Sequence, residues 1–377
     1  MKRITVPLGV ALLAIALATA AALPSPTMRV GNVAAFRPAS SPLPRVDAPA
    51  FAISYDGRLL AGRKTDARRP TASTIKLLTA LAVLREGIPL SRSIVVSQAQ
   101  AAAAQAGARA GNGELPLAAG EILTVRDLLV AMLLPSADDA ANMLAEASPG
   151  GSTGLLARMR SLAGRLGLTL PALEDASGLS PLDRMSPRDE LRLGLAALRS
   201  PVLAGIVRSP AATLSQGSTV HSLNRLLGSY PGAIGVKTGQ TAPAGYVLLF
   251  AARRQGTALG VVMGEASDAA RFADARLLLD WAFAWAKGHA LPAGTRAGDV
   301  IWPGGARQVL RTAAGMSLAS GGTPKLYLVD AADLARGGRV GFAVLDGRRV
   351  ALSARPAPLW LRLWTLAASW RTALFGP

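Results

Sequence analysis

The chain has 377 residues, half of them apolar, with no cysteine and only two histidines, His221 and His289. Thiol chemistry is excluded, and there is almost no material for a structural zinc site or a Ser-His-Asp triad. A formal charge of +18 suits anionic surroundings such as nucleic acid, phospholipid headgroups or acidic wall polymers, but only six residues are lysine and the arginines are scattered, as a compositional habit would leave them.

The first 22 residues, MKRITVPLGVALLAIALATAAA, give a short basic start, an apolar run and an A-x-A site at Ala20-Ala21-Ala22. They predict a secretory signal or, since the run is about long enough to cross a bilayer, an uncleaved anchor. Either way the working part is expected in the periplasm or on the outer face of the cytoplasmic membrane. Residues 23–48 are rich in proline and small residues and predict a linker. FAISYDGRLLAGR then predicts two strands around an Asp56-Gly57 turn.

From Thr71 to about Ser200 apolar residues recur at helical spacing, as in TVRDLLVAMLLP and LLARMRSLAGRLG. Between Ile234 and Gly264 three short apolar runs separated by QTAPAG and QGT predict a β-meander, followed by the long helix ARFADARLLLDWAFAWAKG. Residues 289–357 alternate and turn often, as a small β domain would. Residues 358–377 form a helical wheel with Arg362, Thr365, Ser369 and Thr372 on one side and Trp360, Leu363, Trp364, Ala367, Trp370 and Leu374 on the other. That pattern suits a helix lying in a membrane interface, or one docked on the β domain. The expected fold is α+β: hairpin and meander share one antiparallel sheet, with helices packed around it.

Three short stretches carry chemistry. In RPTASTIKLLTA, Ser73 and Lys76 are three residues apart and so share one helical face. A serine hydroxyl needs a base, and with no usable histidine a desolvated, neutral lysine is the remaining candidate. Taken alone the pair is equally a helix start, with Thr71 or Ser73 as cap and Lys76 in solvent. In LLPSADDAANMLAEA, Ser136 opens a helix, and its spacing to Asp139 fits a capping box. In GVKTGQTAPAGY, Lys237 can hold a carboxylate, Thr238 can add a hydrogen bond, and Gly239 lets another backbone approach; a strand end with a surface lysine reads the same. Together they give the order S-x-x-K, S-x-x, K-T-G, using two of the six lysines. This is the set found in penicillin-binding proteins and class A β-lactamases.

With these motifs the chain resembles the low-molecular-mass penicillin-binding proteins, secreted serine D-alanyl-D-alanine carboxypeptidases. The likeness covers most of residues 50–287, including GEILTVRDLLVAMLLPSADDAANMLAE and LNRLLGSYPGAIGVKTGQTAPAGY. It implies a DD-peptidase/β-lactamase-like catalytic domain over 49–288 with an all-helical subdomain, then the small β domain and a membrane-associating helix. It implies Ser73 as nucleophile, Lys76 as base, and Ser136 as relay to the departing D-alanine. Lys237, Thr238 and Gly239 would bind the substrate carboxylate and strand, and the backbone N–H groups of Ser73 and Gln240 would form the oxyanion hole. The implied partners are a peptidoglycan stem peptide, β-lactams as covalent inhibitors and a membrane surface. Neither metal nor cofactor is required, and nucleic acid is not an expected partner.

The chain departs from the family's S-x-N motif, because Asp138 stands where asparagine is usual. An ionised aspartate only accepts hydrogen bonds and would favour a protonated Lys76, by about 4 kcal/mol at contact distance and an effective dielectric of ~20. Gln240 stands where histidine is common. A β-lactamase would also need a deacylating carboxylate, for which Glu174 in LEDASGLSP is the nearest candidate, and a wall-binding protein with an impaired site is the other alternative.

Overall fold

The computed structural model describes residues 29–30, 33, 42–291, 293–302, 305–317, 324–345, 348–363 and 365–366. The signal or anchor at 1–22 and most of the terminal helix therefore lie outside the described residues. The chain divides into two compact units, one over Pro42–Ala284 and one containing the residues from Trp285 onward with Arg29–Val30.

The first unit is built on a five-stranded antiparallel sheet. Its strands are β1 (Ala50–Tyr55), β2 (Arg58–Arg63), β3 (Ala233–Thr241), β4 (Gly245–Arg253) and β5 (Thr257–Glu265), in the spatial order β3-β4-β5-β1-β2. β4 and β5 are central and buried on both faces, which is why their sequences are near-continuous apolar runs. β2 is an edge strand with exposed Arg58 and Arg63 at its ends, charges that discourage pairing with another chain. The turn between β1 and β2 has Asp56 and Gly57 both at positive φ, 48° and 81°, as a tight hairpin requires.

Helix α1 (Lys76–Arg85) is buried nearly all round and forms the centre of the helical layer. Each fully buried leucine there, such as Leu77 and Leu78, contributes about 1.5–3 kcal/mol of apolar transfer. Around it lie α2 (Gln98–Arg109), α3 (Val125–Leu133), α4 (Asp138–Ala147) and α5 (Gly151–Arg165). Capping boxes start two of them: Ser97 with Gln100 opens α2, and Thr124 with Asp127 opens α3. Helix α6 (Pro187–Arg199) lies against β1 and β5, α7 (Pro201–Val207) follows it, and α8 (Asp268–Gly288) closes the unit's sequence.

The predicted linker is partly structured. Asp47 and Ala48 donate their N–H groups to the Asp274 carboxylate at 2.8 Å, and Arg63 donates to the carbonyls of Val46 and Ala48. Arg29–Val30 pairs with a strand of the second unit. Alternation is the cue for a strand, and two residues are too few to display it.

The second unit holds β6 (Arg296–Ile301), β7 (Arg307–Thr312), β8 (Lys325–Leu328), β9 (Gly338–Leu345) and β10 (Arg348–Ala354). With Arg29–Val30 at one edge they form an antiparallel sheet in the order β6-β7-β10-β9-β8. The core beneath includes Val300, Trp302, Leu310, Val340 and Leu352, with Leu334 of α9 (Ala331–Arg336). At the chain end Leu361 and Thr365 are buried, while Trp360 and Leu363 are more than half exposed. Among the described residues, Leu361 and Thr365 are thus the docked ones, and Trp360, Arg362 and Leu363 face outward. No helix among the described residues is long and apolar enough to cross a membrane.

Candidate active site

A short 3-10 turn, Ala72–Ile75, leads into α1 and presents Ser73. Ala72 stands at φ 47°, a left-handed conformation that a β-carbon disfavours. The turn is held by the Thr71 N–H and hydroxyl, both donating to the Asp183 carbonyl, so Thr71 does not cap the helix with its side chain. Two glycines allow the close packing around it. A β-carbon on Gly178 would lie 2.1 Å from the Ala72 carbonyl oxygen, and one on Gly239 would lie 3.1 Å from the Ser73 nitrogen. The glycine of K-T-G is therefore what lets β3 lie against the nucleophile's backbone.

Lys76 has no solvent exposure. Its Nζ is 2.8 Å from Ser73 Oγ, 2.5 Å from Asp138 Oδ1 and 2.7 Å from the Ser177 carbonyl oxygen. The lysine is desolvated, as a base requires, and the alternative of a solvated Lys76 falls. Burial lowers its pKa, while the Asp138 carboxylate pulls it back up, and burial prevails. Asp138 thus acts in the direction its charge predicts without deciding the outcome. A neutral amine has two N–H bonds and one lone pair. The carbonyl of Ser177 and the carboxylate of Asp138 only accept, so they take the two N–H bonds. As an ammonium Lys76 donates to all three oxygens; once it has given up a proton, its lone pair faces the Ser73 hydroxyl.

Ser136 does not cap α4. The helix begins at Asp138 after Ala137, with no side-chain cap, and Ser136 itself sits at φ 69°. That strained conformation turns its hydroxyl to accept from Lys237 Nζ at 2.7 Å. Lys237, also fully buried, donates to the Thr238 carbonyl at 2.9 Å. Its pKa is driven well below the usual lysine value, first by burial and then by the charge of Lys76. Thr238, Gly239 and Gln240 line the same cleft of about 510 Å³ as Ser73, Ser136 and Asp138. β3 is the edge strand there, so one side of its backbone is available to an extended peptide.

Several residues in this cleft were not found from sequence. Arg271 of α8 is buried and donates to the carbonyls of Gly239 and Val247, at 2.9 and 3.1 Å, so it braces β3 and adds a second cation to the cleft wall. Asp175 gathers the N–H groups of Ser177, Gly178 and Ser180 and so builds the loop that supplies the Ser177 carbonyl. Burial pushes its pKa up, but those hydrogen bonds hold it below the usual carboxylate value. An aspartate two residues before Ser-Gly is a turn signal that sequence alone offered. Asn112 and Gly113 line the cleft on a loop clamped to α4. The Asp138 N–H donates to the Gly113 carbonyl, the Asp139 N–H donates to the Glu114 carboxylate, and the Leu115 N–H donates to Asp139. Glu174 is exposed, accepts from the Ser180 hydroxyl at 2.5 Å and does not line the cleft. Among the described residues no group of three or more acidic or histidine side chains could hold a metal.

The family model for D-alanyl-D-alanine carboxypeptidase matches residues 40–267. The chain belongs to this family. A D-alanyl-D-alanine carboxypeptidase of Streptomyces sp. strain K15 is 31% identical over 246 residues, covering 60% of this chain and 84% of that protein. The DacB2 D-alanyl-D-alanine carboxypeptidase of Mycobacterium tuberculosis is 33% identical over 263 residues, covering 66% and 87%. Among solved structures, the Streptomyces K15 DD-transpeptidase aligns with a TM-score of 0.60 at 30% identity, covering 64% of this chain and 99% of that one. The D-alanyl-D-alanine carboxypeptidase family is one of serine peptidases, and the antiparallel sheet with its helical layer is the fold of these relatives.

Proposed function

We propose that this protein is a serine D-alanyl-D-alanine carboxypeptidase acting on the stem peptide of peptidoglycan through an acyl-enzyme on Ser73. The observation that carries this is the set of Lys76 contacts: its Nζ lies 2.8 Å from the Ser73 hydroxyl, and two pure acceptors are placed to take the N–H bonds of the neutral amine and leave its lone pair to Ser73. Lys76 takes the proton as Ser73 Oγ bonds to the carbonyl carbon between the last two D-alanines. The resulting oxyanion is held by the backbone N–H groups of Ser73 and Gln240. As the C–N bond breaks, the leaving amine gains a proton through Ser136, which is hydrogen-bonded to Lys237. Thr238 and Arg271 on the cleft wall, with Lys237 behind Ser136, receive the terminal carboxylate. Water then cleaves the ester and restores Ser73. A β-lactam enters the same route and leaves its acyl group on Ser73.

Export of the chain, and contact of its terminal helix with a membrane surface, are part of this proposal. The basic-apolar start supports the first, and the outward Trp360 and Leu363 support the second. A β-lactamase is the less favoured function, because Glu174 is turned away from the cleft.

The deciding experiment incubates purified protein with a pentapeptide stem and follows mass. Loss of one D-alanine by wild type but not by Ser73→Ala is expected, and an unchanged pentapeptide would overturn the proposal. With nitrocefin, one equivalent of product followed by arrest is expected; steady turnover would favour the β-lactamase.

A further inference from the structure

The first unit carries a second concavity, away from Ser73, between α6, the adjoining ends of the sheet and the two turns that join β1 to β2 and β4 to β5. It encloses about 440 Å³, within the ~300–1,000 Å³ range of small-molecule sites. Its walls are leucines: Leu191, Leu195 and Leu198 from α6, Leu59 from β2 and Leu259 from β5. Spaced along the helix, the three α6 residues form one continuous apolar stripe.

Arginines rim the groove: Arg188, Arg192 and Arg199 from α6, and Arg253 from the end of β4. Two are already engaged, Arg188 with Asp66 and Arg192 with Asp189, each at 2.9 Å. Arg199 and Arg253 have no carboxylate partner among the described residues; the Arg253 Nε donates only to the Thr257 hydroxyl. The lining carboxylate of Asp56 accepts from the Thr257 N–H, which holds it at the turn. An apolar trough with two unneutralised guanidinium groups on its rim is complementary to one kind of molecule. It needs an alkyl chain to cover the leucines and an anionic head to meet the arginines.

We infer that this groove is a binding site for a single-chain anionic amphiphile, the acyl chain and acidic head of a lipid. The site is independent of the Ser73 chemistry, and none of its residues lines the catalytic cleft.

The test titrates the full chain calorimetrically with dodecyl phosphate below its micelle concentration, with inorganic phosphate and dodecyl maltoside as arms that separate head from chain. One saturable dodecyl phosphate per chain is expected, with no measurable heat from inorganic phosphate and affinity for the neutral-headed chain weaker by about tenfold or more. The double substitution Arg199→Glu, Arg253→Glu should weaken dodecyl phosphate binding by about tenfold or more while Ser73 labelling by fluorescent penicillin stays unchanged. Absence of saturable binding, equal binding of the neutral-headed chain, or indifference to the charge reversal overturns the inference. If the doubly reversed protein does not label with penicillin, Arg199→Gln, Arg253→Gln and the groove-filling Leu195→Trp decide by the same criteria.

Discussion

Two lysines lie buried behind the cleft, one bonded to Ser73 and one to Ser136, and they differ in company rather than in burial. Both are fully buried, and both have their pKa lowered chiefly by that burial. Lys76 sits on the helical wall beside a carboxylate, with Glu114 and Asp175 adding negative potential behind it. Lys237 sits on the strand wall, touches only a hydroxyl and a carbonyl, and feels the charges of Lys76 and Arg271 against that of the more distant Asp138. One wall is thus arranged to hold a proton and pass it, and the other to welcome an anion. A substrate carboxylate approaching the strand wall supplies the counter-charge that Lys237 lacks, while the helical wall already has its own.

The largest effect should come from removing the group both walls serve. Ser73→Ala should abolish covalent labelling by fluorescent penicillin and release of D-alanine, with the thermal midpoint little changed because the side chain is small. Persisting labelling would locate the nucleophile elsewhere.

Next in size is the strand wall. Lys237→Gln should lower kcat/KM for the pentapeptide by about 10–100-fold, the value of a charge-assisted contact to a carboxylate. A pentapeptide ending in a C-terminal amide sharpens the comparison. Wild type should lose activity on it to a similar extent, whereas Lys237→Gln should discriminate little between acid and amide. If the variant loses as much on the amide as on the acid, Lys237 serves proton transfer through Ser136 instead of carboxylate binding.

The helical wall is tested by neutralising its carboxylate. Asp138→Asn removes a charge that raises the Lys76 pKa, so the amine should become neutral at lower pH. The acid limb of penicillin acylation should move down by about one pH unit, with no loss at neutral pH. The contact geometry survives, because the asparagine carbonyl can accept the same N–H. A sharp loss at every pH would give the ionised carboxylate a positive role in the reaction.

Much of this was legible before the fold was known, and the reasons are physical. Central strands must be apolar on both faces, so YVLLFAA and ALGVVMG announced themselves, and Asp56-Gly57 announced the hairpin. Ser73 and Lys76 were readable because helical spacing alone brings them together. Ser136 was readable only through its motif: the capping box that its spacing to Asp139 also allowed does not form, and its direction depends on a positive φ that nothing local in the sequence announces. Arg271 lay hidden in an amphipathic helix, where an arginine is ordinarily a solvated one, and nothing local reveals that it turns inward to β3. The Ser177 carbonyl could not be read at all, because a backbone acceptor has no sequence signature beyond the turn that presents it.

The comparison continues beneath the helical wall, where Glu190 of α6 is buried under the Ser73 turn with no solvent exposure. The Thr74 hydroxyl lies 2.7 Å from Glu190 Oε1 and 2.8 Å from the Thr71 carbonyl, and one hydroxyl has one proton to give. The hydroxyl donates to an ionised Glu190, which lowers the pKa of the acid, or to the Thr71 carbonyl when a neutral Glu190 has a proton of its own to give. Burial pushes its pKa up to about 8, against an ordinary 4.5; the Thr74 contact draws it down and the Asp189 charge adds to the rise. Between those two values the folded chain keeps a proton that the unfolded chain has released. Stability from this group is therefore complete below about pH 4.5 and is lost progressively as pH rises through about 8, on the order of 5 kcal/mol in all. Glu190→Gln keeps the shape and cannot ionise. Wild type and variant should unfold at similar urea concentrations near pH 5, and the variant should be the more resistant near pH 8. Penicillin labelling of Ser73 at neutral pH should hardly change, the smallest effect on activity in the series. A stability gap that stays constant with pH would mean that Glu190 is already ionised beneath the nucleophile, and the helical wall would then carry one more negative charge than the burial of Glu190 implies.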